Sequence, residues 1–421
     1  MPVSRQELAR RLRVARDASG LTQEDVAEHL EVSRPTVAQM ELANRAVTSL
    51  ELDRLARLYG RDLREFVMDD FQEHDALAAL FRADAGVAEQ SHVVDALRNC
   101  AAIGREVTSL ERLLGVDREG GAAAVYPVQT PRTRWQAVQQ GERVAAEERQ
   151  RLGLGSGPLG KLPELLESQN VRAAWIELPD DVSGLTLADR EIGVFIVVNA
   201  NHAAVRRRFS FAHEYAHALL DRERLGTVSR TTARDDLLEV RANAFAAAFL
   251  LPAEGVRQFM TQIGKGGPSR QRADVFDEGG IVEASTRAAP KSLDTQMYDV
   301  AELAGHFGVS RLAALYRLRN LRLVSDSEFE HLKQVEDSGY GKSVARLLQL
   351  PEIDDEDARD EYRHRFLSLA LEAFRRGEIS RSKLNELGNM IGLGEFAMAE
   401  LLKSIGWESA DERSDVFAPP E

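Results

Sequence analysis

Apolar residues recur at intervals of three and four along most of this chain, and that period predicts a mainly helical protein. Leu8, Leu12 and Ala15 share one face of a first helix over residues 4–18, which Gly20 ends. Thr22-Gln23-Glu24-Asp25 then reads as a capping box opening a short helix with Val26, Ala27 and Leu30 inward. Val32-Ser33 turns the chain into a third helix over residues 33–42. Two short helices joined this tightly predict a helix-turn-helix.

Residues 71–116 carry two more helical patterns, the second striped by Val93, Leu97, Cys100, Val107, Leu110 and Leu114 and interrupted at Gly104. The stripe reads as ordinary core or as a dimer seam. Residues 115–130 read as a linker, followed by helices over 135–152 and 162–169 and strands over 171–177 and 192–199. Gly153-Leu-Gly-Ser-Gly-Pro158 follows no strand and precedes no Lys-Ser/Thr, so it reads as a turn rather than a phosphate loop. Residues 262–296, rich in Gly, Ser, Arg, Asp and Pro, read as a mobile surface loop, with a lid over a neighbouring cleft as the alternative. Helical patterns resume at 299–323, 366–374, 380–391 and 395–405, and the tail from Glu408 reads as frayed.

With 43% hydrophobic and 29% charged residues, the 421-residue chain has the makeup of a folded protein and room for two to four domains. A single cysteine excludes an internal disulfide framework. The start lacks a signal-peptide core, and the longest apolar run, 242–253, is too short to span a bilayer. A cytoplasmic protein without a membrane partner is expected. The net charge of −14 argues against sequence-independent binding to nucleic acid. Residues 1–66, with eleven Arg, no Lys and eleven acids, are neutral, which permits site-directed DNA binding of weak non-specific affinity.

The densest chemistry lies at residues 206–220, which contain His213-Glu214-Tyr215-Ala216-His217. On a helix, positions i and i+4 share a face, so the two histidines can hold one zinc ion between them. Glu214 then stands beside a water that the ion polarises, able to take its proton and pass it to a leaving amine. The spacing also arises by chance in helical proteins. Here, however, Glu214 is the only charged residue between Phe209 and Leu220, and burying it without a site would be costly. A second apolar helix, stopped by Pro252, puts Glu239 and Asn243 on one face and offers a third ligand. Two His, one carboxylate and an open fourth position is the pattern of catalytic zinc.

Arg-Arg-Phe-Ser-Phe-Ala-His-Glu-x-x-His, followed by Glu-x-x-Ala-Asn-x-Phe-Ala-x-x-Phe-Leu-Leu-Pro, resembles the ImmA/IrrE family of zinc metallopeptidases. Gly184, the run from Ile192 to Asn199, and Leu303-Ala304-x-x-Phe307-x-Val309-Ser310 extend the resemblance over roughly residues 125–340. It implies a small mixed sheet beside the zinc helices, with His213, His217 and Glu239 as ligands, Glu214 as general base and Asn243 behind them. It also implies that Leu303 to Ser310 packs on the peptidase fold rather than forming a second DNA reader. Leu21-Thr-Gln-x-x-Val-Ala-x-x-Leu-x-Val-Ser-Arg-x-Thr-Val-x-x-Met-Glu41 resembles the lambda-repressor-like (XRE) DNA-binding domains. Ala43 departs from the glycine frequent there. By that likeness Ser33, Arg34, Pro35, Thr36 and Gln39 face the major groove, and Gln23, Asn44 and Arg45 face phosphates.

The expected protein is mainly α with a small mixed sheet. A five-helix lambda-repressor-like domain (1–68) is followed by a helical spacer suited to dimerisation (69–124), an α+β zincin-like domain (125–340) and a C-terminal helical subdomain with a tail (341–421). The expected function is that of a transcriptional regulator on a double-stranded DNA operator. Its zinc metallopeptidase domain would cleave a repressor-type protein, or the chain itself, in response to a signal. The alternative is a non-enzymatic one-component regulator whose peptidase-like domain senses an effector.

Overall fold

The structure, a computed structural model, describes residues 3–19, 21–59, 61, 63–67, 71, 91–116, 124–189, 193–221, 226–230, 236–265, 270–277, 280–287, 294–350 and 356–407. Gly20, the helix expected before residue 91, residues 117–123 of the linker and the tail from Glu408 lie outside them. The chain forms two compact units, residues 1–121, 189–192 and 356–421, and residues 122–188 and 193–355.

The first unit begins with α1 (Arg5–Ala18), α2 (Gln23–Leu30), α3 (Arg34–Glu41), α4 (Ser49–Leu58) and α5 (Leu63–Val67). Thr22 with Asp25, and Thr48 with Glu51, form reciprocal capping boxes that satisfy the first amides of α2 and α4. The five helices close over Leu12, Val26, Leu30, Val37, Met40, Leu55, Tyr59 and Phe66. An ion pair of Arg16 Nε with Glu41 Oε1 at 2.6 Å ties α1 to α3. Ala43, just past α3, has φ 61°, a left-handed conformation in which its Cβ is strained. Glycine, with no Cβ, would meet no such penalty at this position.

α6 (Ser91–Leu114) runs unbroken through Gly104, where an interruption was expected. One glycine costs a helix about 1 kcal/mol, less than the burial of Ile103, Val107, Leu110 and Leu114 around it returns.

In the second unit α7 (Arg134–Arg151) and α8 (Leu162–Ser168) precede β1 (Val171–Ile176), β2 (Val182–Asp189) and β3 (Gly193–Asn199). α9 (Ala204–Leu220), β4 (Gly226–Arg230), α10 (Leu237–Leu250) and α11 (Ala253–Gln262) follow. The sheet order is β1-β3-β2-β4; β1 and β3 are parallel, β2 and β4 antiparallel, so the sheet is mixed. α9 lies on β3, and α10 packs against α7 and α9. α7 and α10 approach at Gly141, where a Cβ would sit 2.4 Å from the Arg241 carbonyl oxygen.

Behind α9, the fully buried Glu148 of α7 accepts hydrogen bonds from Tyr126 (2.7 Å), Tyr215 and Arg151. Burial alone would raise its pKa, but these donors hold the carboxyl below the usual range. Asn199, at the end of β3, donates to the carbonyls of Leu178, Pro179 and Val182 and so fixes the β1–β2 connection.

Within 262–296 the expected loop is instead a hairpin, β5 (Arg270–Asp277) paired antiparallel with β6 (Gly280–Arg287). Its polar, Gly- and Arg-rich composition obscured this pairing in the sequence. α12 (Met297–Phe307), α13 (Arg311–Asn320), α14 (Asp326–Asp337) and α15 (Tyr340–Leu347) complete this unit. Leu303, Phe307 and Val309 are in its core, so this stretch packs on the fold that carries α9 and α10.

α16 (Glu356–Arg375), α17 (Arg381–Met390) and α18 (Glu395–Ser404) return to the first unit. Phe366, Ala370, Leu384, Leu387, Met398 and Leu402 cover Ile103, Val107, Leu110 and Leu114. The described half of the α6 stripe is therefore core of a bundle within the same chain. Arg57 of α4 reaches Glu386 of α17 (3.3 Å), linking that bundle to the helix-turn-helix.

Relieving the strained alanine is a direct test of the turn after α3. Ala43→Gly should raise amide-exchange protection across α1–α5 by about 0.5–1 kcal/mol. Lower protection would show that the left-handed geometry is not the constraint.

Candidate metal centre and DNA-binding surface

The α9 sequence from Ser210 to Leu219 is buried on all sides, which follows from its apolar composition and from its place between β3, α8 and α10. Its i, i+4 spacing brings His213 and His217 together, and α10 brings up Glu239. Their ligating atoms all lie within 4.8 Å of one another, the one such His/Cys/Asp/Glu group among the described residues. His213 Nε2 is 3.2 Å from Glu239 Oε2, His217 Nε2 is 3.2 Å from Glu239 Oε1, and the two Nε2 atoms are 3.3 Å apart. Zinc in a tetrahedral site, with bonds of about 2.0–2.1 Å, sets its ligand atoms roughly 3.3 Å apart. The two histidines meet different oxygens of Glu239, and these spacings bring all three groups within reach of a single metal ion.

The outer ring nitrogens are already committed. His217 Nδ1 donates to Asp221 Oδ2 at 2.9 Å, and His213 Nδ1 lies 3.1 Å from Asn243 Oδ1. With each Nδ1 facing an outer acceptor, each Nε2 faces inward, where it either donates a proton to Glu239 or, without that proton, offers a lone pair to a cation. Burial pulls the His217 pKa down, but hydrogen bonds to Asp221 and Glu239 outweigh it and push it up to about 10. Burial likewise raises Glu239, and its bonds to both histidines override that and bring it to about 2. Protein atoms alone thus favour a positive charge at the centre of the triangle.

Glu214 is fully buried, and that burial raises its pKa. Thr186 Oγ1 of β2 lies 2.8 Å from Glu214 Oε2 and donates to it. Oε1 has no hydrogen-bond partner among the described residues. A Cβ on Gly184 would sit 2.9 Å from that atom, so only glycine leaves room for the carboxylate. Thr186 thus orients the carboxylate, and Ser229 also acts on it, opposing the rise that burial causes.

Thr186, Ser229, Asp221 and Arg241 were not anticipated. Ser229 Oγ of β4 is 3.1 Å from His213 Nε2, and buried Arg241 pairs with Asp221 Oδ1, fixing the partner of His217. Asp221 had a legible signal, since it stands four residues after His217 where α9 ends. The strand residues had none.

In the helix-turn-helix, Ser33, Arg34, Pro35, Gln39 and Asn44 are exposed, and Thr36 and Arg45 are half-buried. Ser33 and Thr36 hydroxyls lie 2.9 Å apart, and Asn44 Nδ2 donates to Gln39 Oε1 at 2.9 Å. Gln23 donates to Glu41 (2.9 Å) and Arg45 pairs with Glu51 (2.7 Å), so the structure places both in internal contacts as well as near the surface.

Comparison with known proteins decides what the metal centre belongs to. Residues 169–266, which contain every residue of that centre, match the family described as IrrE N-terminal-like domain. The second unit contains an IrrE-like domain. Residues 7–66 match a family described as helix-turn-helix domain. The radiation response metalloprotease IrrE of Deinococcus deserti is 34% identical over 104 residues, which are 23% of this chain and 37% of that protein. The match thus spans little more than a third of the curated relative. The chain joins a helix-turn-helix DNA-binding domain to an IrrE-like domain of a metallopeptidase family. Among the described residues no helix is long and apolar enough to cross a membrane.

If Asp221 orients His217, Asp221→Asn should weaken metal binding by about 10–100-fold. Competition against a chelator of known affinity measures it. Unchanged affinity would make Asp221 a fold residue only.

Proposed function

We propose that this protein is a transcriptional regulator whose IrrE-like domain is a working zinc endopeptidase, cutting a repressor-type protein or its own chain when a signal arrives. The convergence of His213, His217 and Glu239, whose ligand atoms lie within 4.8 Å of one another, is the observation that carries the reading. When bound there, zinc supplies a Lewis acid that polarises a water and the scissile carbonyl. His213, His217 and Glu239 hold the ion, while Asp221 and Asn243 keep the imidazole rings turned toward it. Glu214 has no ligand duty. Its carboxylate would accept the proton of the attacking water and pass it to the departing amine, with Thr186 and Ser229 holding it in place. On DNA, Arg34 and Gln39 read bases, with Ser33, Pro35 and Thr36 beside them, and Asn44, Arg45 and Gln23 lie at the backbone. A homodimer on a two-fold operator in the cytoplasm completes the reading.

A second reading, a metal-held sensor without hydrolysis, draws on the complete burial of Glu214. Glu214→Gln separates the two, because it keeps shape and hydrogen bonding but cannot accept a proton. About one zinc per chain and normal DNA binding should remain, while cleavage and the transcriptional response fall by about 100-fold or more. A variant that responds normally, while His217→Ala fails, would leave the sensor.

Base reading has its own test. Arg34→Ala or Gln39→Ala should each cost about 1–3 kcal/mol at one operator position without loss of fold. Selection on random DNA shows this as relaxed preference at that position. An unchanged preference in both variants would remove them from the reading surface.

A further inference from the structure

We propose that the exposed face of α7 is a docking groove for an extended, acidic polypeptide segment, separate from the metal centre and not resting on hydrolysis there. An open cavity of about 720 Å³ runs along the start of this helix, with Gln129, Arg132, Gln136, Gln139, Gln140 and Arg143 in its walls. No aliphatic or aromatic side chain lines it. Small apolar ligands rely on such walls, so the groove is unsuited to them.

Its chemistry fits a main chain. A carboxamide sets a donor and an acceptor side by side, the same pair that a peptide group presents in reverse, and four glutamines stand here together. Two of them are braced by the backbone: Gln136 Oε1 accepts from the Arg132 amide (2.9 Å), and Gln140 Nε2 donates to the Gln129 carbonyl (3.1 Å). That brace leaves Gln140 Oε1 buried with no hydrogen-bond partner among the described residues. An unmet acceptor of this kind is costly unless something donates to it.

Charge sets the character of the segment. Glu142, also in the wall, is tied to Arg317, and Arg143 is paired with Glu147 (2.9 Å). Arg132 has no acidic partner among the described residues. From residue 120 to 141 the sequence has two arginines and no acid, in a chain of net charge −14. Glu119 and Glu142 bound this stretch, so the wall carries one excess positive charge, Arg132, to meet a carboxylate. Trp135, 68% exposed, precedes Gln136 on the helix but is not part of the cavity wall.

The groove backs onto the metal centre through the same helix. Gly141 touches the backbone of Arg241, whose guanidinium holds Asp221, the partner of His217. A bound segment is therefore one helix away from the metal centre.

The probe is a fluorescein-labelled octapeptide of alternating Glu and Gln, titrated onto the full-length protein. A Lys-Gln octapeptide and free citrate serve as competitors. Saturable binding of the acidic peptide is expected, weakened roughly tenfold or more by Arg132→Glu and by the Gln136→Ala, Gln140→Ala pair. Glu214→Gln should bind it as wild type does, so loss of catalysis and loss of docking are read separately. The proposal is overturned by absence of saturable binding, by equal binding to Arg132→Glu, or by equal affinity for the Lys-Gln peptide. Displacement by citrate at equal concentration would also overturn it, in favour of a small-anion site.

Discussion

Two imidazoles and a carboxylate, pressed to within 3.2–3.3 Å of one another away from water, need a positive charge among them, a proton or a cation. The second unit is arranged so that they stay together anyway. The pitch of α9 sets the distance between the rings, and the close approach of α10 sets the third corner. That approach in turn requires Gly141 on α7. Asp221 and Asn243 then fix which nitrogen of each ring faces inward, so the site is determined from outside as much as by its own three residues.

The DNA-binding domain shows the opposite economy of charge. Its first helix is rich in arginine, yet Arg10 and Arg11 are held by Glu7, Arg13 by Asp17 and Arg16 by Glu41. These groups stabilise the five-helix domain and leave little free positive field for phosphate. Arg34 and Gln39, exposed on α3, stand outside these ion pairs.

Helical periodicity made most of the fold legible, since the capping boxes at Thr22 and the stripes along α1, α9 and α10 are local facts of sequence. The same holds for His213, His217, Glu239 and Asn243, each pair joined by i, i+4 spacing on one helix. Thr186, Gly184 and Ser229 were not legible as site residues because they reach Glu214 and His213 from strands, and no spacing within one segment records which strand passes which helix. Gly104 misled because intrinsic propensity is a weak force beside the burial of Ile103 and Val107. The hairpin at 270–287 was hidden by composition: its arginines, serines and glycines resemble a loop.

The bundle of α6 with α16, α17 and α18 is closed by chain segments that the whole second unit separates. On the ribosome, α6 is complete roughly 240 residues before α16 begins, an interval on the order of 10–50 s at ordinary elongation rates. Throughout that time Ile103, Val107, Leu110 and Leu114 have no partner, while the five helices before them can already fold. The nascent chain thus presents an adhesive apolar face late into its synthesis, and a ribosome stalled between the two halves would leave a DNA-binding domain attached to an unfinished, chaperone-dependent stem.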